Sequence, residues 1–363
     1  MYILIALLVF GVLIFIHELG HYIAARILKV RIFEFAIGMG PKLLWYESKK
    51  TGIIYSLRMI PIGGFVSMDG ELSSGENEEV DKEIQELRDR TAMQVGATSL
   101  GAKAAWQRLI VHVAGATMNL LFGFLAAIIL ICCVRVGGTT VGEFILETGE
   151  TVAVSESQGL AVGDRILSVN GKRVYTHERL YYEIMHEGGS DEPLTLLVER
   201  NGEKKELSIV FPIITEQGQN FGIYDFKVYE EEKTVGVVIK HSFHKCCYLV
   251  NMVWDSLVDM ITGRYTFEAV SGPIGTTTVI ADAAKTRLDV FVNLVALISV
   301  NLGIFNLLPL PALDGGHIFY TLIEIVTRRR LPEKVMGILD LIGLMLLMGL
   351  MVVVAFKDIF ALL

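Results

Sequence analysis

The amino-acid sequence predicts a polytopic α-helical membrane protein of about four transmembrane helices, with a membrane-associated β-hairpin and an inserted extracytoplasmic α+β domain. Three observations carry this. Of 363 residues, 52% are hydrophobic and only 20% charged, less charge than a soluble domain of this size carries. Four apolar segments meet the ~20 helical residues that a hydrocarbon core of ~30 Å requires. Between the second and third, residues 135–289 mix acids and bases among strand and turn signals, the pattern of a soluble module. The net charge of -8 is spread along the chain without a basic stripe, so nothing points to a nucleic-acid partner. The four cysteines form two adjacent pairs, Cys132-Cys133 and Cys246-Cys247, and offer no CxxC spacing for a cysteine metal site.

The first span runs from about Tyr2 to Leu28. Its opening, YILIALLVFGVLIFI, has the length of a signal-peptide core but lacks a basic n-region and a small-residue cleavage site. The apolar pattern continues through HELGHYIAARIL, so a retained helix is expected. The second span covers roughly Leu109 to Val134, the third Val290 to Val326 and the fourth Val335 to Phe360. The third is interrupted by Asn306, Pro309, Pro311 and Gly315-Gly316, and cannot be one smooth helix. A break at membrane depth is tolerated where protein shields it or where it lines a wet cavity; a turn at the membrane surface is the alternative.

Basic residues set the orientation. Arg26, Lys29, Arg31, Lys42, Lys49 and Lys50 follow the first span, and Arg328, Arg329, Arg330 and Lys334 separate the third from the fourth. Both loops are expected to be cytoplasmic, which places the termini and residues 135–289 outside a multi-pass cell membrane.

The chain then divides into an N-terminal membrane region (1–134), a soluble module (136–213), a linker (214–289) and a C-terminal membrane region (290–363). Within the first, residues 52–68 read as a β-hairpin around Pro61-Ile-Gly-Gly64, and residues 76–90 as a charged, solvated run. In the module, GLAVGDRILSVNGKRV alternates around turns at Val162-Gly163-Asp164 and Asn170-Gly171. A helix is expected from about Thr176 to His186, and then a hairpin through Asn201-Gly202. This order resembles a PDZ domain, which implies binding of extended peptides by strand addition. In the linker, residues 243–262 place Phe243, Leu249, Val253, Trp254 and Leu257 at helical spacing, an amphipathic helix for the bilayer or the spans.

The chemistry concentrates in the first span. His17-Glu18-Leu19-Gly20-His21 puts two imidazoles one turn apart on one helix face, able to reach one metal ion. Glu18 is placed to act on a metal-bound water as general base. Zinc would supply the Lewis acidity. Burying three polar groups in an apolar run costs ~2.5–3.5 kcal/mol for each centrally placed charge, so they need a reason. A third ligand is required. Asp314, in the break of the third span, is the candidate, with His317 three residues on as competitor; Asp340 is adequately explained by the dipole at the start of the fourth span. A ligand on the soluble-enzyme pattern would be Glu34 or Glu47, neither embedded in apolar sequence.

HELGH in one span, PLPALDG in a later one and an intervening PDZ-like module together resemble the site-2 protease family of intramembrane zinc metalloproteases, in its bacterial branch that degrades anti-sigma factors. Phe35-Ala-Ile-Gly-Met-Gly-Pro41, Pro61-Ile-Gly-Gly-Phe65 and Ser271-Gly-Pro-Ile-Gly275 add to the match. The resemblance implies zinc on His17, His21 and Asp314, with Glu18 activating water. It also implies substrate contacts at Asn306 and at Gly63, Gly64 and Phe65, the hairpin dipping into the bilayer to present an edge strand. Its substrates would be single-span membrane proteins or remnant signal peptides. The PDZ-like module would contact their C-termini or filter them by size. The second span departs from the family in Gly115-Ala116-Thr117-Met118-Asn119, which lacks the usual proline. A membrane-bound peptide-binding scaffold without turnover is the alternative class, and the intact Glu18 argues against it.

Overall fold

The computed structural model describes residues 2–70, 78–146, 152–216, 219–262 and 272–362. Glu76, Asn77 and Ser271, which figure in the expectations above, lie outside them. The chain forms two compact units, Met1–Ala126 with Met252–Leu363, and Ala127–Asn251. Its elements in order are α1 (Tyr2–Ile27), β1 (Ile32–Glu47), β2 (Ile54–Met68), α2 (Glu78–Arg90), α3 (Ala105–Cys133), β3 (Gly137–Phe144), α4 (Val154–Ser157), β4 (Arg165–Val169), β5 (Lys172–Arg173), α5 (His177–Glu187), β6 (Leu194–Arg200), β7 (Glu203–Ile209), β8 (Ile213–Glu216), β9 (Gln219–Gly222), β10 (Phe226–Glu230), α6 (Val235–Thr262), α7 (Pro273–Thr286), α8 (Leu288–Leu307), α9 (Asp314–Thr327) and α10 (Glu333–Leu362).

Among the described residues, four helices are long and apolar enough to cross a membrane: Leu4–Ile27, Ala105–Cys133, Leu288–Leu307 and Lys334–Asp358. The expected four spans are borne out. The third breaks where proline and glycine cluster: α8 stops at Leu307 and α9 begins at Asp314. Ala6, Val9 and Leu13 of α1 are buried with Ile280 of α7, and Phe122, Phe291, Leu294 and Ile298 pack on them. Leu4, Leu8 and Val12 on the other side of α1 remain exposed, the all-round apolarity of a helix meant for lipid. Helices without water to drive them together rely on close approach. A Cβ on Gly20 of α1 would collide with the Ala114 carbonyl of α3, and Ser299 Oγ of α8 donates to the Asn119 carbonyl at 2.7 Å.

The expected self-paired hairpin at 52–68 is not what forms. Residues 64–68 pair with one side of 32–37 (Ile32↔Met68, Phe35↔Val66, Ile37↔Gly64), and residues 54–57 lie along its other side (Glu34↔Ile54, Ile37↔Leu57). Residues 42–47 then cover 54–58. The Pro61–Gly64 turn carries the chain across the end of this inserted segment. The physical reason is burial: Ile32, Phe33, Phe35 and Ala36 are all buried and belong inside the sheet, which leaves 64–68 as an edge. The charged run of α2 is tethered, since Arg88 Nη2 donates to the buried Asp69 at 2.9 Å and Ile84 is buried.

In the second unit the sheet order is β10-β3-β4-β6-β7, with β5 on β4. Asn170-Gly171 and Asn201-Gly202 all have positive φ, the primed turns that tight hairpins need. The Thr176 side chain accepts from Arg179 N and caps α5, which buries Leu180 and Ile184 against Ile166, Leu196, Val198 and Phe226. Each such side chain contributes about 1.5–3 kcal/mol. The sheet reaches beyond 136–213, because β10 pairs with β3 (Phe226↔Phe144, Val228↔Val141). The helix read at 243–262 is the C-terminal part of α6.

Candidate metal centre

Two helices of the first unit bring three donors together. His17 and His21 project from one face of α1, and Asp314 sits in the first turn of α9. His17 Nε2 lies 3.1 Å from Asp314 Oδ2, His21 Nε2 lies 3.2 Å from the same oxygen, and the two Nε2 atoms are 3.2 Å apart. Both histidines are buried. His21 Nδ1–H donates to the Val111 carbonyl of α3 at 2.8 Å, which leaves the lone pair of Nε2 facing the triangle. A carboxylate offers acceptors only. A metal cation between these donors would satisfy all three at once. Ligands at about 2.0–2.1 Å in tetrahedral geometry stand some 3.3 Å apart, close to the spacings found here. Two imidazoles and one carboxylate form a donor set of the kind that leaves a fourth position open.

The third wall is α3. A Cβ on Gly115 would collide with His21 Nε2 and come within 2.7 Å of His17 Cε1, so only glycine admits the two rings side by side. Asn119, wholly buried, has its side-chain amide 3.2 Å from His17 Nδ1.

Glu18 is half-buried and faces the edge strand: a Cβ on Gly64 would stand 3.0 Å from Glu18 Cγ. A cavity of about 560 Å³ opens here, walled by His17, Glu18, His21, Asp314, Gly64 and Phe65 and continuing past His112 and His317 to Arg108, Glu324 and Arg330. At that end Arg108 donates to Glu324 at 2.5 Å, and Arg330 bonds both Glu324 and the Gly101 carbonyl.

His317 is not in the donor triangle. Its ring stacks on His112 with centroids 5.1 Å apart, and its Nε2 is 3.9 Å from Asp340 Oδ2. Asp340 is no helix-start residue: it lies well inside α10 and accepts from Ala312 N and Tyr320 Oη, both at 3.2 Å. It thereby holds the 308–313 break that aims Asp314. Glu34 is engaged elsewhere. Burial opposes its ionisation, but hydrogen bonds from Ser56, Lys42 and Arg58 outweigh that and hold its carboxyl below the usual range. Asn306, half-buried in the last turn of α8, and Gly63 do not line the cavity. Sequence reasoning missed Gly115, Asn119 and His112. All three sit in the second span, where a histidine or an asparagine amid apolar residues is itself a signal.

Four spanning helices, an HExxH motif inside the first and a carboxylate converging on its histidines define a metallopeptidase of the membrane-embedded class. The chain belongs to peptidase family M50, whose profile matches residues 5–350, which bears out the resemblance to site-2 proteases. A Clostridium perfringens protein described as a candidate zinc metalloprotease is 36% identical, over 99% of this chain and 98% of its own. The zinc metalloprotease RasP of Geobacillus kaustophilus is 30% identical over 97% of this chain and 96% of its own. The regulator of sigma-W protease RasP of Bacillus subtilis is 26% identical, covering 97% of each.

Proposed function

We propose that this protein is an intramembrane zinc endopeptidase that hydrolyses peptide bonds within or beside the transmembrane segments of single-span membrane proteins. The observation that carries the reading is the donor triangle of His17, His21 and Asp314, with Glu18 beside it and the 64–68 edge alongside. The Clostridium perfringens and Geobacillus kaustophilus relatives, both named as zinc metalloproteases, support zinc as the metal. The Bacillus subtilis relative's title as a regulator of sigma-W points to membrane-held regulators, such as anti-sigma factors, as substrates; remnant signal peptides share the same geometry.

When bound, zinc supplies Lewis acidity toward the scissile carbonyl and lowers the pKa of water. His17, His21 and Asp314 hold it. Glu18 takes the proton from the attacking water and returns it to the leaving amine. A transmembrane helix has every carbonyl internally bonded and must unwind before it can be cut. Residues 64–68 offer an unpaired edge whose backbone replaces the lost bonds by strand addition. The polar walls from His112 to Arg330 provide water a route from the side of the basic loops. The sheet of the second unit, with α5 packed on it, supports a PDZ-like module that contacts substrate C-termini or restricts substrates by size, with this unit and both termini outside the cell.

The test is co-expression with tagged single-span proteins. The wild type should cut at least one within or beside its span, and Glu18→Gln should lower that rate by about 10²–10⁴-fold while zinc per mole is unchanged. Equal cleavage by both proteins would overturn the assignment.

A further inference from the structure

Asn119 is fully buried and its Oδ1 has no hydrogen-bond partner among the described residues, while its Nδ2 stands 3.2 Å from His17 Nδ1. The two ends of a side-chain amide are nearly the same shape, and which end faces a neighbour follows from the hydrogen-bond network. If Nδ2–H donated to Nδ1, the imidazole proton would sit on Nε2, the atom that faces Asp314 and His21, and Oδ1 would stay orphaned. Turning the amide by half a revolution settles the tautomer: His17 Nδ1–H donates to Oδ1, Nε2 presents a lone pair, and Nδ2 takes the position that Oδ1 held. His21 already has this arrangement, with Nδ1–H on the Val111 carbonyl.

Val111, Gly115 and Asn119 are spaced by four residues and fall on one stripe of α3. His17 and His21, also four apart, lie opposite in reversed order, Asn119 on His17 and Val111 on His21, with Gly115 leaving room between. Ser299 Oγ fixes the stripe by donating to the Asn119 carbonyl.

We infer that Asn119 is a positioning residue of the metal centre, its Oδ1 accepting from His17 Nδ1–H and so fixing the tautomer and the ring plane in which His17 binds metal. The inference rests on His17 being a ligand, which is tested separately: His17→Ala must itself lose zinc. Outer partners of this kind are worth about 10–100-fold in metal affinity.

The experiment is chelator competition for zinc on the purified full chain, with the wild type, Asn119→Leu, Asn119→Asp and His17→Ala, each checked for monodispersity and thermal unfolding. Asn119→Leu keeps the volume and removes the acceptor, and should weaken zinc binding about 10–100-fold. Asn119→Asp keeps an acceptor but has no N–H to give, and should rescue zinc binding to within about threefold of wild type. The cobalt-substituted Asn119→Asp protein should keep the wild-type visible spectrum. A folded Asn119→Leu that holds zinc like the wild type overturns the inference, and so does a folded Asn119→Asp that loses zinc as His17→Ala does. If Asn119→Leu fails to insert, Asn119→Asp alone decides.

Discussion

A single missing atom shapes the centre. Gly115 lies in the middle of α3, where a glycine costs about 1 kcal/mol of helix stability relative to alanine, and a Cβ there would run into both imidazoles. The space it leaves is therefore worth more than the helix propensity it gives up. Gly115→Ala should strengthen α3 as a helix yet empty the site. Zinc per mole should fall below about one tenth of the wild-type content, with helicity by circular dichroism unchanged, because the rings cannot move away without leaving Asp314 or Val111 behind. Full zinc in Gly115→Ala would mean that the donor triangle is looser than its 3.1–3.2 Å spacings imply. Glu18 differs in kind. It belongs to the same helix turn but points at the edge strand, which is why its removal is expected to spare the metal.

At the scale of elements, the edge at 64–68 is defined by what fills the sheet behind it. Neighbouring residues of a strand send their N–H groups to opposite sides, so of Phe65 and Val66 one faces 32–37 and the other faces the cavity. Proline removes one donor. Of Phe65→Pro and Val66→Pro, one should disturb the sheet and lower the unfolding temperature. The other should keep fold and zinc while cleavage of a co-expressed substrate drops. Unimpaired cleavage by the variant that keeps its fold would rule out strand addition at this edge. The sheet also marks how far the sequence could be read. The spans, the break at Asn306–Gly316, the HExxH pair and the primed turns at Asn170-Gly171 and Asn201-Gly202 were legible because each rests on a local period or on one residue's backbone preference. The role of 32–37 was not, because five apolar residues around Glu34 do not reveal which distant segments will flank them. The same holds for Asp358, which accepts from Gly272 N and Gly275 N at 3.3 and 2.8 Å and so caps α7 from the far end of α10. An acid in the last turns of an apolar helix is visible in sequence, whereas the helix start it serves lies 83–86 residues away. Asp340 misled for a related reason: its partners Ala312 and Tyr320 sit across the break, and no rule about helix ends could name them.

At the scale of the whole molecule, the chemistry needs water on one side and substrate access within the bilayer, so orientation is part of the mechanism. The ion cluster of Arg108, Glu324 and Arg330 lines one end of the cavity. Arg330 belongs to the basic group between the third and fourth spans. If that group is cytoplasmic, as basic flanks dictate, the water route from the donor triangle opens toward the cytoplasm and the second unit faces outside. The four native cysteines at 132, 133, 246 and 247 must first be replaced by serine, since a label would find them. Single cysteines at Asn201, in the turn between β6 and β7, and at Lys50 or Arg329, in the basic loops, then report the two sides. A membrane-impermeant maleimide added to intact cells should modify the cysteine at 201 and spare those at 50 and 329; opening the cells should expose all three. The reverse pattern would place the basic loops outside, against the charge rule. The route lined by His112 and His317 would then draw its water from outside the cell, and a second unit inside could not screen the extracytoplasmic parts of substrates. The donor triangle and its Glu18 would be untouched by that result, so topology and chemistry are tested independently.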